Sequence, residues 1–166
     1  MKIKTITLAY DHHEDRIRCA VADSEGQKRA LWLTRRLTEP LVVTLLKHVH
    51  KHPPKSVEPQ EDAPSEERQA RQVYAQLEAR LHKKAAEPVV VSEDAPQSLL
   101  HEINLNFYQS AAVSLMFKGT DGFEGSLTLS LEELRQWLEV LRNTFERAQW
   151  RQDIWPEWFS LRKSAK

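Results

Sequence analysis

Several features are scarce in this sequence, and each scarcity argues against a class of protein. The 166 residues include a single cysteine, so an internal disulfide is impossible and a reduced, cytoplasmic setting is expected. No apolar run approaches the roughly 20 residues that span a bilayer, so no membrane association is expected. Basic and acidic residues balance at 24 each, so no net charge attracts nucleic acid or anionic lipid.

Catalytic motifs are missing as well. The sequence has only four glycines, which stand at turn positions and form no phosphate-cradling loop. No serine or cysteine occupies the glycine-flanked elbow of a hydrolase. Cys19 alternates in phase with Ile17 and Val21, which predicts a small core residue. We therefore expect neither an enzyme nor a cofactor.

A pattern of alternating apolar residues followed by an amphipathic helix occurs twice. The segments 31–49 and 127–145 both show it, and two further alternating stretches precede each of them. Each half therefore reads strand, strand, strand, helix, and the apolar positions of the halves coincide. The pattern predicts an α+β fold in which two βββα halves, related by an internal repeat, form antiparallel sheet covered by helices.

The chain length suits a single domain, predicted over residues 1–152. Its predicted parts are a first half, a linker with an extra helix, and a second half, at 3–52, 53–98 and 99–152. The stretch 53–64 is rich in proline and acids, which predicts an exposed linker.

Helix boundaries follow from capping residues. Thr38 is expected to cap the first helix, with Pro40 in its first turn and an end before Pro53. Ser130 and Glu133 form a capping box, which predicts a last helix at 131–152.

The extra helix, predicted at 65–84, has one apolar stripe. This stripe must be covered by the sheet or by another chain. Its members are Ala70, Val73, Tyr74, Leu77 and Leu81.

The tail at 153–166 carries three large aromatic side chains that are costly to leave in water. Two interpretations remain open: the tail folds over its own subunit, or it anchors in a groove of another chain. We expect a homodimer formed through the last helix and this tail. The predicted contact residues are Leu138, Leu141, Phe145, Trp150, Trp155, Trp158 and Phe159.

Metal binding is an alternative function. His48 and His52 lie four residues apart at the end of a predicted helix, where they could hold a transition metal if a third ligand came from His12 or His13. The simpler interpretation is that solvated imidazoles lie at a helix C-terminus, where the helix dipole favours positive charge.

Weak nucleic-acid binding is a second alternative. Arg35 and Arg36 lie at the corner between a strand and a helix, and the tail adds further cations that Asp153 and Glu157 partly cancel. The cations in or beside the tail are Arg151, Arg162, Lys163 and Lys166.

The predicted elements come in the order strand meander, helical insertion, second meander and leaving helix. This order resembles the globular head of the end-joining scaffold superfamily, which includes centriolar cartwheel protein heads. The resemblance covers residues 3–152 and implies a small sandwich whose leaving helix forms a parallel dimeric stalk. This chain departs from that pattern in its longer, proline-rich insertion and in a last helix that stops near Gln152. Together these observations predict a non-enzymatic protein-interaction or scaffold protein.

Overall fold

The computed structural model describes residues 1–52 and 65–160, which form six strands and four helices. The α+β class is confirmed. The predicted linker at 53–64 and the tail residues 161–166 lie outside the described residues. In chain order the elements are β1 Thr5–Asp11, β2 Arg16–Ala22, β3 Lys28–Leu33, α1 Arg35–Lys51, α2 Ser65–Leu81, β4 Gln97–Phe107, β5 Val113–Gly119, β6 Glu124–Leu129, α3 Leu131–Ala148 and α4 Glu157–Ser160.

The strands form one mixed sheet in the order β1-β2-β3-β4-β5-β6. Neighbouring strands are antiparallel except β3 and β4, which run parallel from Ala30 opposite Gln97 to Trp32 opposite Leu99. The alternation had predicted antiparallel pairing throughout, but the long connection through α1 and α2 allows a parallel crossover at the centre. The element order does not establish that the two halves share a shape, so the internal repeat stays a prediction.

Residues 1–3, which lead into β1, pair with β6 at the opposite edge of the sheet, so the sheet is curled. The amide of Ile3 donates to the carbonyl of Ser126 in β6 at 2.8 Å, and the amide of Ser126 donates to the carbonyl of Met1 at 2.9 Å. Helix α3 contacts both β1 and β6. The curled sheet therefore offers one concave face to the helices.

One apolar core fills this concave face. Alternate strand residues meet the stripes of α1 and α3, as the helix and strand periodicities predict. Cys19 lies in this core, as predicted. The largest fully buried side chains are Phe117, Phe145, Ile17, Leu31, Leu33, Leu45, Leu115, Leu134, Leu138, Leu141, Val21 and Val42.

Helix α1 begins one turn earlier than the sequence predicted. Thr34, at the end of β3, is the cap, and its hydroxyl accepts the amide of Leu37 at 3.3 Å. Thr38 lies inside the helix, where its hydroxyl donates to the carbonyl of Thr34 at 2.7 Å. Pro40 is accordingly an internal helix residue, and its missing amide removes one backbone hydrogen bond.

Helix α3 begins as predicted and ends earlier. Ser130 and Glu133 form the capping box, with distances of 2.8 and 3.1 Å. The helix ends at Ala148, not at 152, because Gln149 adopts a left-handed conformation with φ 56° and the amide of Trp150 donates to the carbonyl of Phe145 at 3.1 Å. The chain then turns back over its own core.

Candidate functional site

The predicted contact residues of the last helix lie in the core of the single chain. Leu138, Leu141 and Phe145 are 0 % exposed. The sheet and α1 cover this apolar stripe, which the sequence had predicted to lie in a dimer interface. These three side chains are therefore not accessible to a second chain in the described fold.

The aromatic tail also folds over its own subunit, which was the first of the two interpretations. Trp150, Trp155, Trp158 and Phe159 are each at most 6 % exposed. The rings of Trp150 and Trp155 meet Phe145 edge-on at 5.3 and 5.5 Å, and Trp158 stacks on Phe159 at 4.5 Å. The burial that the tail needs is supplied within the chain, so these residues do not form an exposed partner surface.

His48 of α1 and His52, which follows the helix, are engaged with carbonyl groups. His48 Nε2 lies 2.7 Å from the carbonyl of Ala111, and His52 Nδ1 lies 2.9 Å from the carbonyl of His48. Because a carbonyl oxygen only accepts, both of these ring nitrogens carry a hydrogen. Burial lowers the pKa of His48, whose ring also stacks on Phe107 at 4.4 Å. Within residues 1–52 and 65–160, no group of three or more His, Cys, Asp or Glu side chains is placed to hold a metal ion.

The cations considered for nucleic acid are partly neutralised. Arg35 Nε donates to Glu39 at 2.8 Å, and Arg151 makes two bonds to Asp153 at 2.8 and 2.7 Å. Arg162, Lys163 and Lys166 lie outside the described residues.

The buried Ser98 contacts the partly exposed side chains of Arg29 and Asp121 beside the β5–β6 turn. Ser98 Oγ accepts from Arg29 at 2.8 Å and donates to Asp121 at 2.9 Å. The Arg29 guanidinium also lies over the Phe123 ring at 4.7 Å. The serine hydroxyl donates directly to a carboxylate, with no histidine between them to act as a general base. This cluster connects β3, β4 and the β5–β6 turn, so its role is to stabilise the fold.

Helix α2 presents the clearest exposed apolar surface. Tyr74, Leu77 and Leu81 are 58 %, 46 % and 83 % exposed, and Ala70 is exposed one turn before them. At about 3.6 residues per turn these four residues fall on one narrow stripe. Val73, the fifth member of the predicted stripe, is half-buried against the core. We call Ala70, Tyr74, Leu77 and Leu81 the α2 stripe.

The opposite side of α2 holds the helix to the body of the protein. Its buried residues are Gln72, Ala75, Gln76 and Ala79, which lie about half a turn away from the α2 stripe. This side packs on α3 and α4. The helix is thus docked by its glutamines and alanines, and its large apolar side chains face away.

Polar contacts fix the orientation of α2. Gln72 Oε1 accepts from Arg135 at 2.8 Å, and Gln76 Nε2 donates to the Arg135 carbonyl at 3.0 Å. Near the end of the helix, Arg80 Nε donates to Glu139 at 2.8 Å. Burial lowers the pKa of Arg135 to about 10. Rolling α2 to bury its apolar stripe would break these bonds and leave a desolvated guanidinium without its amide partner.

The apolar periodicity predicted the α2 stripe but not the direction in which it faces. The missed signal is the pairing of Arg135 and Glu139 on α3 with Gln72, Gln76 and Arg80 on α2. Those positions lie in different helices, so no local pattern connects them.

Comparison with protein-family models, with curated proteins and with solved structures finds no match to this chain. The resemblance to the end-joining scaffold heads therefore stays a prediction. No helix in the described part of the chain has both the length and the apolar character that crossing a bilayer requires.

Proposed function

We propose that this chain is a non-enzymatic protein-interaction module whose contact surface is the α2 stripe. One observation carries the proposal: α2 docks on the body through Gln72 and Gln76 while Tyr74, Leu77 and Leu81 remain exposed. Apolar surface left in water costs about 25 cal/mol per Å², and a partner that covers the stripe recovers that free energy.

The stripe fits an amphipathic helix. Its spacing of four, three and four residues is that of a helix which packs against another helix by side chains on one face. Charged groups flank it, with Arg71 bonded to Glu67 at 2.8 Å and Glu78 on the same side. An apolar centre with a polar rim is the usual composition of a protein interface.

The body of the protein serves as a rigid support in this proposal. Helix α3 is held by the core on one side and bonded to α2 on the other. The surface is therefore presented in a fixed orientation, which lowers the conformational entropy lost on binding. The interaction or scaffold role that the composition suggested is kept, and its location moves from the C-terminal helix to α2.

Site-specific photo-cross-linking tests this proposal. A benzoylphenylalanine placed at position 77 should give discrete cross-linked species in cell extract, whether with a second copy or with another protein. The matched control carries the same group at Val90, which is 74 % exposed and lies outside α2. A Tyr74→Glu or Leu81→Glu change should remove the products formed from position 77. Equal labelling from positions 77 and 90, or no discrete product from either, would reject the proposal.

A further inference from the structure

We infer that the occupant of the α2 stripe is the same stripe of a second copy, packed antiparallel to it. This inference rests on the proposed function and names its partner. The stripe reads the same in both directions, because its members at 70, 74, 77 and 81 are separated by four, three and four residues. A reversed copy therefore meets it in register, with Ala70 opposite Leu81 and Tyr74 opposite Leu77.

Side-chain size favours the antiparallel register. At each end the smallest member, Ala70, meets the long side chain of Leu81, and in the middle Tyr74 meets Leu77. A parallel register would place Ala70 against Ala70 and Leu81 against Leu81, which leaves a gap at one end of the contact. Close packing without voids is what makes such a contact stable.

Charge agrees with the same register. Arg71 and Glu78 flank the stripe on one side, and in an antiparallel helix pair the same flanks of the two copies face each other. Each copy therefore presents a flank that carries both signs of charge to the same flank of the other copy. Arg71, whose side chain is 13 % exposed, bonds Glu67 of its own helix at 2.8 Å. With a formal net charge of zero, the two copies have no overall repulsion.

The contact is small, which sets the expected affinity. One helix face is well below the roughly 800 Å² per partner of a standard interface, so we expect a reversible dimer with a Kd on the order of 10–100 µM. Such a dimer forms and separates readily.

Disulfide trapping tests the register. Ala70→Cys and Leu81→Cys variants are oxidised separately and as an equal mixture. The antiparallel pair predicts at least about tenfold more cross-linked dimer in the mixture than in either variant alone. The native Cys19 does not interfere, because it is buried and burial raises the pKa of its thiol. Dimers formed equally well by each variant alone, or no enrichment in the mixture, would overturn the inference.

Sedimentation equilibrium from about 10 to 300 µM tests the association itself. Leu77→Glu should weaken dimerisation at least about tenfold, whereas Val90→Glu should leave it unchanged, with circular dichroism checking that both variants are folded. A chain that stays monomeric throughout while position 77 cross-links to another protein overturns the second-copy inference and leaves the proposed function standing. Absence of both results rejects the two together.

Discussion

Helices α2 and α3 have similar lengths and similar apolar spacing, yet they bury opposite kinds of surface. Helix α3, Leu131–Ala148, places Leu134, Leu138, Leu141 and Phe145 in the core at 0 % exposure. Helix α2, Ser65–Leu81, buries glutamine and alanine and exposes the α2 stripe. An apolar stripe thus predicts that a helix face needs cover, but the concave face of the sheet is already occupied by α1 and α3. The described residues therefore leave the α2 stripe uncovered.

The same leucine-to-alanine change in the two helices gives the largest expected contrast. Leu138→Ala should lower the free energy of unfolding by about 2–5 kcal/mol, because it opens a cavity in a fully buried core. Leu77→Ala should change it by less than about 0.5 kcal/mol in the monomer, since the side chain is 46 % exposed. Urea unfolding at low micromolar concentration measures both. Similar losses for the two variants would mean that α2 buries its stripe within its own chain.

The turn that ends α3 gives the next largest effect. Asp15 in the β1–β2 turn accepts the indole N–H of Trp150 at 3.0 Å and the hydroxyl of Tyr10 at 2.6 Å. Asp15→Ala leaves the buried Trp150 donor without this partner, and we expect a loss of about 1–3 kcal/mol. Chemical unfolding followed by tryptophan fluorescence measures it.

Asp11→Ala is a matched control for Asp15→Ala, because that carboxylate bonds only nearby backbone amides in the same turn. A loss from Asp11→Ala as large as that from Asp15→Ala would show that the turn matters and the Trp150 contact does not.

The N-cap of α3 should contribute less. Ser130→Ala removes the hydroxyl that accepts the amide of Glu133 at 3.1 Å, with an expected cost of about 1 kcal/mol. Ser130→Asp should restore most of it, since aspartate caps as well as serine does. Thermal unfolding of the two variants compares them, and a failed rescue would indicate that Ser130 acts through its packing.

Local features of the fold were predictable from sequence, and features set by distant partners were not. The Ser130 and Glu133 box was found because both members lie within one turn of each other. The start of α1 was misplaced because Thr34 and Thr38 are both reasonable caps, and only the end of β3 decides between them. Just past the end of α3, the indole of Trp150 donates to Asp15, which is 135 positions away, so no local pattern could indicate this contact.

The candidate site shows the same division. Periodicity placed Tyr74, Leu77 and Leu81 on one face of a helix, and the structure leaves these three side chains exposed. Periodicity equally selected Leu138 and Phe145, which the structure buries. The two helices differ in the surface that each one packs against. Helix α2 packs against Arg135 and Glu139 of α3, whereas α3 packs against the sheet. Sequence spacing carries no information about that opposing surface.

A single exposed ion pair joins the end of α2 to the start of α3, and it gives the smallest expected effect. His82 Nδ1 lies 3.0 Å from Glu132 Oε2, and this hydrogen bond raises the pKa of His82 above its ordinary value near 6.5. Because the folded-state pKa is raised, the pair stabilises the docked helix fully below the unfolded-state pKa and is lost as pH rises through the folded-state value. NMR titration should show a lower His82 pKa in Glu132→Gln and no change in Glu93→Gln, an exposed control. In the native chain, the rate of hydrogen exchange at the C-terminal end of α2 should then rise with pH more steeply than the intrinsic exchange rate. In Glu132→Gln the exchange rate should rise with pH only as steeply as the intrinsic rate. A His82 pKa that does not respond to Glu132→Gln would mean that this ion pair does not help to hold α2 to α3.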